Sequence, residues 1–135
     1  MNFIFYLKLY LLTIPVFFLI DMIWLGWLAK DLYRNNIGHL MAKEVNWSPA
    51  IAFYLMYIVG ILFFAVSPAL EKGEWQKALF YGALFGFITY ATYDLTNWAT
   101  LKDWPAKVVF ADIAWGSFLG AAVATASYFI GKWLI

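Results

Sequence analysis

Three aspartates, Asp21, Asp94 and Asp112, interrupt runs of sequence that are otherwise apolar enough to cross a lipid bilayer. A carboxylate at the centre of a bilayer costs about 2.5–3.5 kcal/mol on insertion scales, so such groups face a protein interior and usually serve a function. A chain that keeps three of them must therefore fold around a shared inside. The composition leaves lipid as the solvent for the outside: hydrophobic residues are 65% of the 135 and charged residues only 13%. Soluble domains carry about 25% charged residues. A soluble globule of this size could not bury so much apolar surface, because small domains leave much of their surface exposed.

Four apolar runs reach the length of about 20 residues that a helical crossing requires. They lie near Phe3–Leu28, Pro49–Ala69, Lys77–Leu101 and Pro105–Trp133. None shows the alternating segments of about 10 residues that mark a membrane barrel. The expected fold is an all-α integral membrane four-helix bundle, a single transmembrane domain over residues 1–135 with both ends on one side. The first run lacks a basic segment ahead of it and a small-residue cleavage site after it, so it reads as a retained helix bent near Pro15 rather than a signal peptide.

Between the first two runs, Ala29–Ser48 is the only long connection. Tyr33, Ile37, Leu40, Met41 and Glu44 fall in it at helical spacing, with Arg34, His39 and Lys43 around them. Either a short interfacial helix or a solvated loop satisfies that pattern.

Depth turns the aspartates into a layer. Asp21 lies seven residues before Leu28, Asp94 seven before Leu101, and Asp112 seven after Pro105 on a helix of opposite direction. At 1.5 Å per residue each carboxyl sits about 10 Å below the same face. Tyr90, Asp94 and Asn97 share one helix face, beside a second stripe of Thr92, Thr96 and Thr100. The spacing Asp-x-x-Trp occurs twice, as Asp21/Trp24 and Asp112/Trp115, and sets an indole one turn from each carboxyl. Trp98, four residues past Asp94, reaches the same level, as does Tyr93. Gly82/Gly86 and Gly116/Gly120 form two G-x-x-x-G pairs, which let membrane helices approach closely. The plain structural alternative is that each acid is satisfied by hydrogen bonds from neighbouring Tyr, Thr, Asn or indole groups.

Other chemistries are excluded or left without a motif. A net charge of +1 supplies no basic patch for nucleic acid, and the absence of cysteine removes thiolate ligands, thiol nucleophiles and disulfides. No phosphate-binding loop, hydrolase elbow, zinc-helix motif or dinucleotide fingerprint is present, and the serines have no histidine at readable spacing.

Over almost its whole length the chain resembles a family of small bacterial membrane proteins grouped as domain of unknown function 2177. The resemblance rests on Asp21 with Trp24-Leu25-Gly26, on Tyr33-Arg34 and Gly38-His39-Leu40, and on Phe53-Tyr54-Leu55 with Tyr57 and Gly60. It continues in Tyr90-Ala91-Thr92-Tyr93-Asp94-Leu95-Thr96-Asn97, Trp104-Pro105 and Asp112-Ile113-Ala114-Trp115-Gly116. The resemblance implies a multi-pass protein of the bacterial inner (cytoplasmic) membrane and supplies no activity. It adds Arg34 and His39 to the candidate site.

Acids and aromatic faces at one level suit an organic cation, through charge pairing and cation–π attraction together. Clustered carboxylates repel, so an exchange of a proton for a cation follows. The expected function is a small carrier or binding protein for a cationic solute, proton-coupled, working as a homo-oligomer such as a dimer and requiring no cofactor. Its ligand-binding residues are expected to be Asp94 as principal carboxylate, Asp21 and Asp112 as partners, Trp24, Tyr93, Trp98 and Trp115 as walls, and Tyr90, Asn97, Arg34 and His39 beside them. A first alternative is a membrane-embedded enzyme for lipid or isoprenoid headgroups, in which Asp21, Asp94 and Asp112 hold a divalent metal and Arg34 grips a phosphate. A second alternative is an accessory membrane subunit.

Overall fold

The computed structural model describes residues 1–135, and every regular element in it is helical. Helix α1 spans Phe3–Ile23 and starts where the Asn2 side chain accepts the Phe5 N–H at 3.0 Å, satisfying one of the free donors of the first turn. Pro15 lies inside α1 without ending it. The irregularity comes later, where Trp24–Leu28 widens into a π-helical turn. Such turns re-phase the side chains that follow, and they often lie at functional sites.

Ala29 is buried and breaks the helical path, and the chain turns into α2, Lys30–Ile37, followed by a 3-10 turn over Gly38–Leu40. The first half of the long connection is thus helical. Helix α3 (Trp47–Ile61) runs through a second π-helical turn, Leu62–Val66, into α4 (Ser67–Lys72). Pro68, which lacks a backbone donor, falls just after the π-helical turn, where the helical hydrogen-bond ladder is already interrupted. Gly73, at φ 68°, ends it in the left-handed conformation that favours glycine. Helix α5 spans Trp75–Thr100 and α6 spans Ala106–Leu134, with Pro105 immediately before the first turn of α6.

Three rods are long and apolar enough to cross a bilayer: Phe3–Leu28 and Trp47–Lys72 with 26 residues each, and Ala106–Leu134 with 29. Helix α5 also has 26 residues but is not among them. Lys77, Thr89, Thr92, Asp94, Thr96, Asn97 and Thr100 dilute its apolar character. The chain is therefore an all-helical protein with three membrane-capable helices plus one long helix that is more polar.

Helix α6 forms the axis and touches α1, α3, α4 and α5. Its contact with α5 depends on missing side chains. A Cβ on Gly82 would meet the Gly120 carbonyl oxygen, one on Gly86 the Gly116 oxygen, and one on Gly120 the Gly82 oxygen. The two backbones thus touch directly, which is how membrane helices gain packing energy without a hydrophobic drive. Leu9, Phe17, Ile58, Ile61, Leu119 and Val123 fill the centre between the rods. Trp27, Met56, Phe63, Phe64 and Trp133 point outward with most of their surface exposed, as a lipid-facing exterior requires.

Candidate functional site

All three aspartates are buried: Asp21 is 3%, Asp94 0% and Asp112 5% exposed. They come from α1, α5 and α6 respectively. Two of them are tied together by a crossed arrangement of the two Asp-x-x-Trp motifs. Trp115, on the helix of Asp112, donates its indole N–H to Asp21 Oδ1 at 3.2 Å. Trp24, on the helix of Asp21, donates its N–H to the Tyr33 hydroxyl at 2.8 Å, and Tyr33 in turn donates to Asp112 Oδ1. Each indole therefore serves the acid of the opposite helix. Between the two acids the indoles lie face to face, with ring centroids 4.7 Å apart and planes 5° from parallel. Tyr54 brings its phenol to the Asp21 carboxyl from α3.

Tyr33 reaches this network from α2, which packs against α6 and the π-helical turn after α1. Burial, and then the Asp112 carboxylate that accepts its hydrogen, push the Tyr33 phenol above the ordinary tyrosine range. It remains a donor at neutral pH.

These residues border a cavity of about 490 Å³. Small-molecule sites commonly measure roughly 300–1,000 Å³ and are mostly apolar, with a few placed polar groups. Asp21, Asp112 and Thr89 are the polar lining residues apart from tyrosines, and no lysine, arginine or histidine is among them. Trp24, Tyr33, Phe53, Tyr54, Tyr90, Tyr93, Trp104 and Trp115 make the walls, joined by Ile37 and Met41 of the connection. Tyr90 finds room because Gly116 faces it with no side chain; a Cβ there would run into the Tyr90 ring. Tyr93 and Trp104 meet edge to face at 5.9 Å.

Asp94 stands apart. It is absent from the cavity lining and lies behind it, beside Asp112 and the Trp104 indole. Neither of its carboxyl oxygens has a hydrogen-bond partner, and the buried Trp104 N–H has none either.

The residues expected from sequence are thus partly gathered. Asp21, Asp112, Trp24, Trp115, Tyr90 and Tyr93 border one cavity, and Asp94 backs onto it. Trp98 does not reach it: it is 44% exposed and packs on Phe110 on the outside, with centroids 6.1 Å apart. Arg34 is exposed, and half-buried Asn97 lies beside Tyr93 rather than in the lining. His39 faces outward and pairs with Asp103 of the α5–α6 turn at 3.6 Å. The side-chain donors to Asp112 and Asp21 are Tyr33 and Trp115. Tyr33, Phe53, Tyr54, Thr89 and Trp104 were not expected at the site. The helical spacing of Tyr33 and Ile37 in the connection was the signal available for the first of them.

The enzyme alternative places Asp21, Asp94 and Asp112 around one divalent metal. No group of three or more His, Asp or Glu side chains is placed to hold one ion. Asp21 is held by Trp115, and the stacked indoles stand between it and the Asp94–Asp112 pair.

The chain belongs to the family described as "Predicted membrane protein (DUF2177)", which it matches over residues 6–129, a range that takes in every residue of the cavity. No curated protein and no solved structure matches it.

Proposed function

We propose that this protein is a small membrane carrier or binding protein for an organic cation, proton-coupled, which holds the cation in the aromatic cavity against Asp112 and Asp21. One observation carries the reading. Eight of the 14 lining residues are aromatic, two are carboxylic acids, and none is basic. A cation with an apolar or aromatic body gains there in three ways: burial of its body, attraction of its charge to ring faces, and pairing with a carboxylate. An anion or a phosphorylated headgroup would meet like charge, and Arg34, the residue that the enzyme alternative sets on a phosphate, lies outside.

In this reading α5 is a fourth crossing. Its glycines press it onto α6 and its buried acid faces inward, which supports reading residues 1–135 as one transmembrane domain; the membrane proposed for it is the bacterial inner one. With so few helices to line a route across the bilayer, the working unit is a homodimer.

Calorimetry with tetraphenylphosphonium on the purified protein tests the proposal. Saturable binding is expected, with a loss of at least about tenfold in Asp112→Asn, the size of one cation–carboxylate interaction of about 1.4 kcal/mol. Wild-type binding no tighter than that of Asp112→Asn overturns it.

A further inference from the structure

We propose that Asp94 and Asp112 divide the work of a proton-for-cation exchange: Asp112 is the carboxylate that meets the cation, and Asp94 is the site that holds the exchanged proton. This rests on the cation-binding reading of the cavity and assigns its coupling to particular atoms.

The geometry points to that division. Asp112 borders the cavity and accepts the Tyr33 hydrogen on Oδ1, so it is placed to carry charge. Asp94 is fully buried, off the cavity lining, with no donor to either oxygen. An ionised carboxylate without hydrogen bonds or a counter-ion is the most expensive group a protein interior can hold. The groups that face it offer no positive charge. Asp112 comes from α6, Tyr33 from α2, Tyr93 from α5 itself and the Trp104 indole from the turn. The only contacts in the protein between a basic and an acidic side chain are His39–Asp103 and Lys77–Glu74, and neither involves Asp94. Two adjacent carboxylates in such surroundings share a single proton. Since Asp112 already receives a hydrogen from Tyr33, the proton belongs on Asp94.

The exchange balances. As a singly charged cation settles against Asp112, the O–H bond of Asp94 breaks, its electron pair stays on the carboxylate, and the proton leaves to water. The layer loses one positive charge and gains one. Trp104, whose buried N–H is unpartnered beside Asp94, is the donor placed to receive the new carboxylate.

Infrared difference spectroscopy on the full chain in lipid vesicles tests this, with tetraphenylphosphonium as the probe. Without probe at neutral pH, the wild type is expected to show a protonated carboxyl carbonyl band that Asp94→Asn lacks and that Asp94→Glu shifts. Probe should abolish the wild-type band. Affinity in the wild type should rise about tenfold per pH unit while one proton is displaced, and should vary less than about twofold in Asp94→Asn. A carbonyl band that survives Asp94→Asn unshifted, or an unchanged pH slope in that variant, overturns the assignment. If the band behaves as expected but no cation binds, the cation reading fails and the proton site stands.

Discussion

Tyr33 and Asp112, 79 residues apart, share a hydrogen bond that ties the short helix over the cavity to the central helix of the protein. The same hydroxyl accepts from Trp24, so one phenol joins three helices. Its removal tests whether α2 is a fixed part of the site.

Tyr33→Phe is expected to destabilise the protein by about 1.5–3 kcal/mol, the worth of a hydrogen bond to a charged group. Thermal unfolding in detergent measures the loss, and amide exchange should quicken over Lys30–Ile37. The tie also has a pH signature. A phenol raised above its unfolded value stabilises below the ordinary tyrosine range near 10 and loses that contribution only as pH rises through the higher folded value. Wild-type stability from this group should hold through neutral pH and decline in strong alkali, and the alkaline decline should be shallower in Tyr33→Phe.

Trp115→Phe keeps an aromatic face against Trp24 but leaves Asp21 without its indole donor. A cost of about 1–3 kcal/mol is expected for a buried acid that loses this donor and keeps only the Tyr54 phenol near it. Asp21→Asn in the same background should recover part of it, since a neutral amide is less costly to leave unpaired. Equal melting temperatures for wild type and Trp115→Phe would count against the crossed network.

How much of this was legible in sequence follows from what a residue count can measure. Depth along a helix is a count, and that count is what sets Asp21, Asp94 and Asp112 seven residues from one face. Rotation about the axis is not, and rotation decides that Asp112 borders the cavity while Asp94 lies behind it. Trp98 shows the same limit: four residues from Asp94 brings it to the right level, but α5 turns it outward onto Phe110. The G-x-x-x-G pairs were legible because close approach demands residues without side chains. The crossing of the two Asp-x-x-Trp motifs was not, because each indole serves the opposite helix and a pattern within one helix carries no trace of its partner. Tyr33 and Trp104 arrive from connections, where neither hydropathy nor helix spacing on the long rods could place them.

The glycines divide into two classes that substitution should separate. Gly86→Ala drives a Cβ into the Gly116 carbonyl oxygen, where only backbone could yield, so a loss of about 1–3 kcal/mol is expected. At Gly26 a Cβ meets nothing within 4 Å, and Gly26→Ala should be neutral or slightly stabilising. Melting temperatures of the two variants, measured side by side, check the directness of the α5–α6 contact.

Arg34→Ala, His39→Ala and Trp98→Ala should each leave tetraphenylphosphonium affinity within about twofold of wild type, well under the tenfold that 1.4 kcal/mol represents. All three side chains lie outside the cavity. Titration of the three variants against Trp104→Ala, which removes a wall and should weaken binding clearly, separates residues that share the site from residues that share only its neighbourhood in sequence.

The most direct measurement is to locate a bound cation by its own scattering. Crystals grown with a brominated aromatic quaternary ammonium compound should give an anomalous bromine peak inside the cavity among Tyr90, Trp104 and Trp115, with the ammonium charge towards Asp112. Asp112→Asn crystals grown the same way should show none. A peak confined to the apolar groove between α1 and α3, lined by Tyr6, Tyr10 and Phe63, or no ordered peak at all in the wild type, would contradict the account.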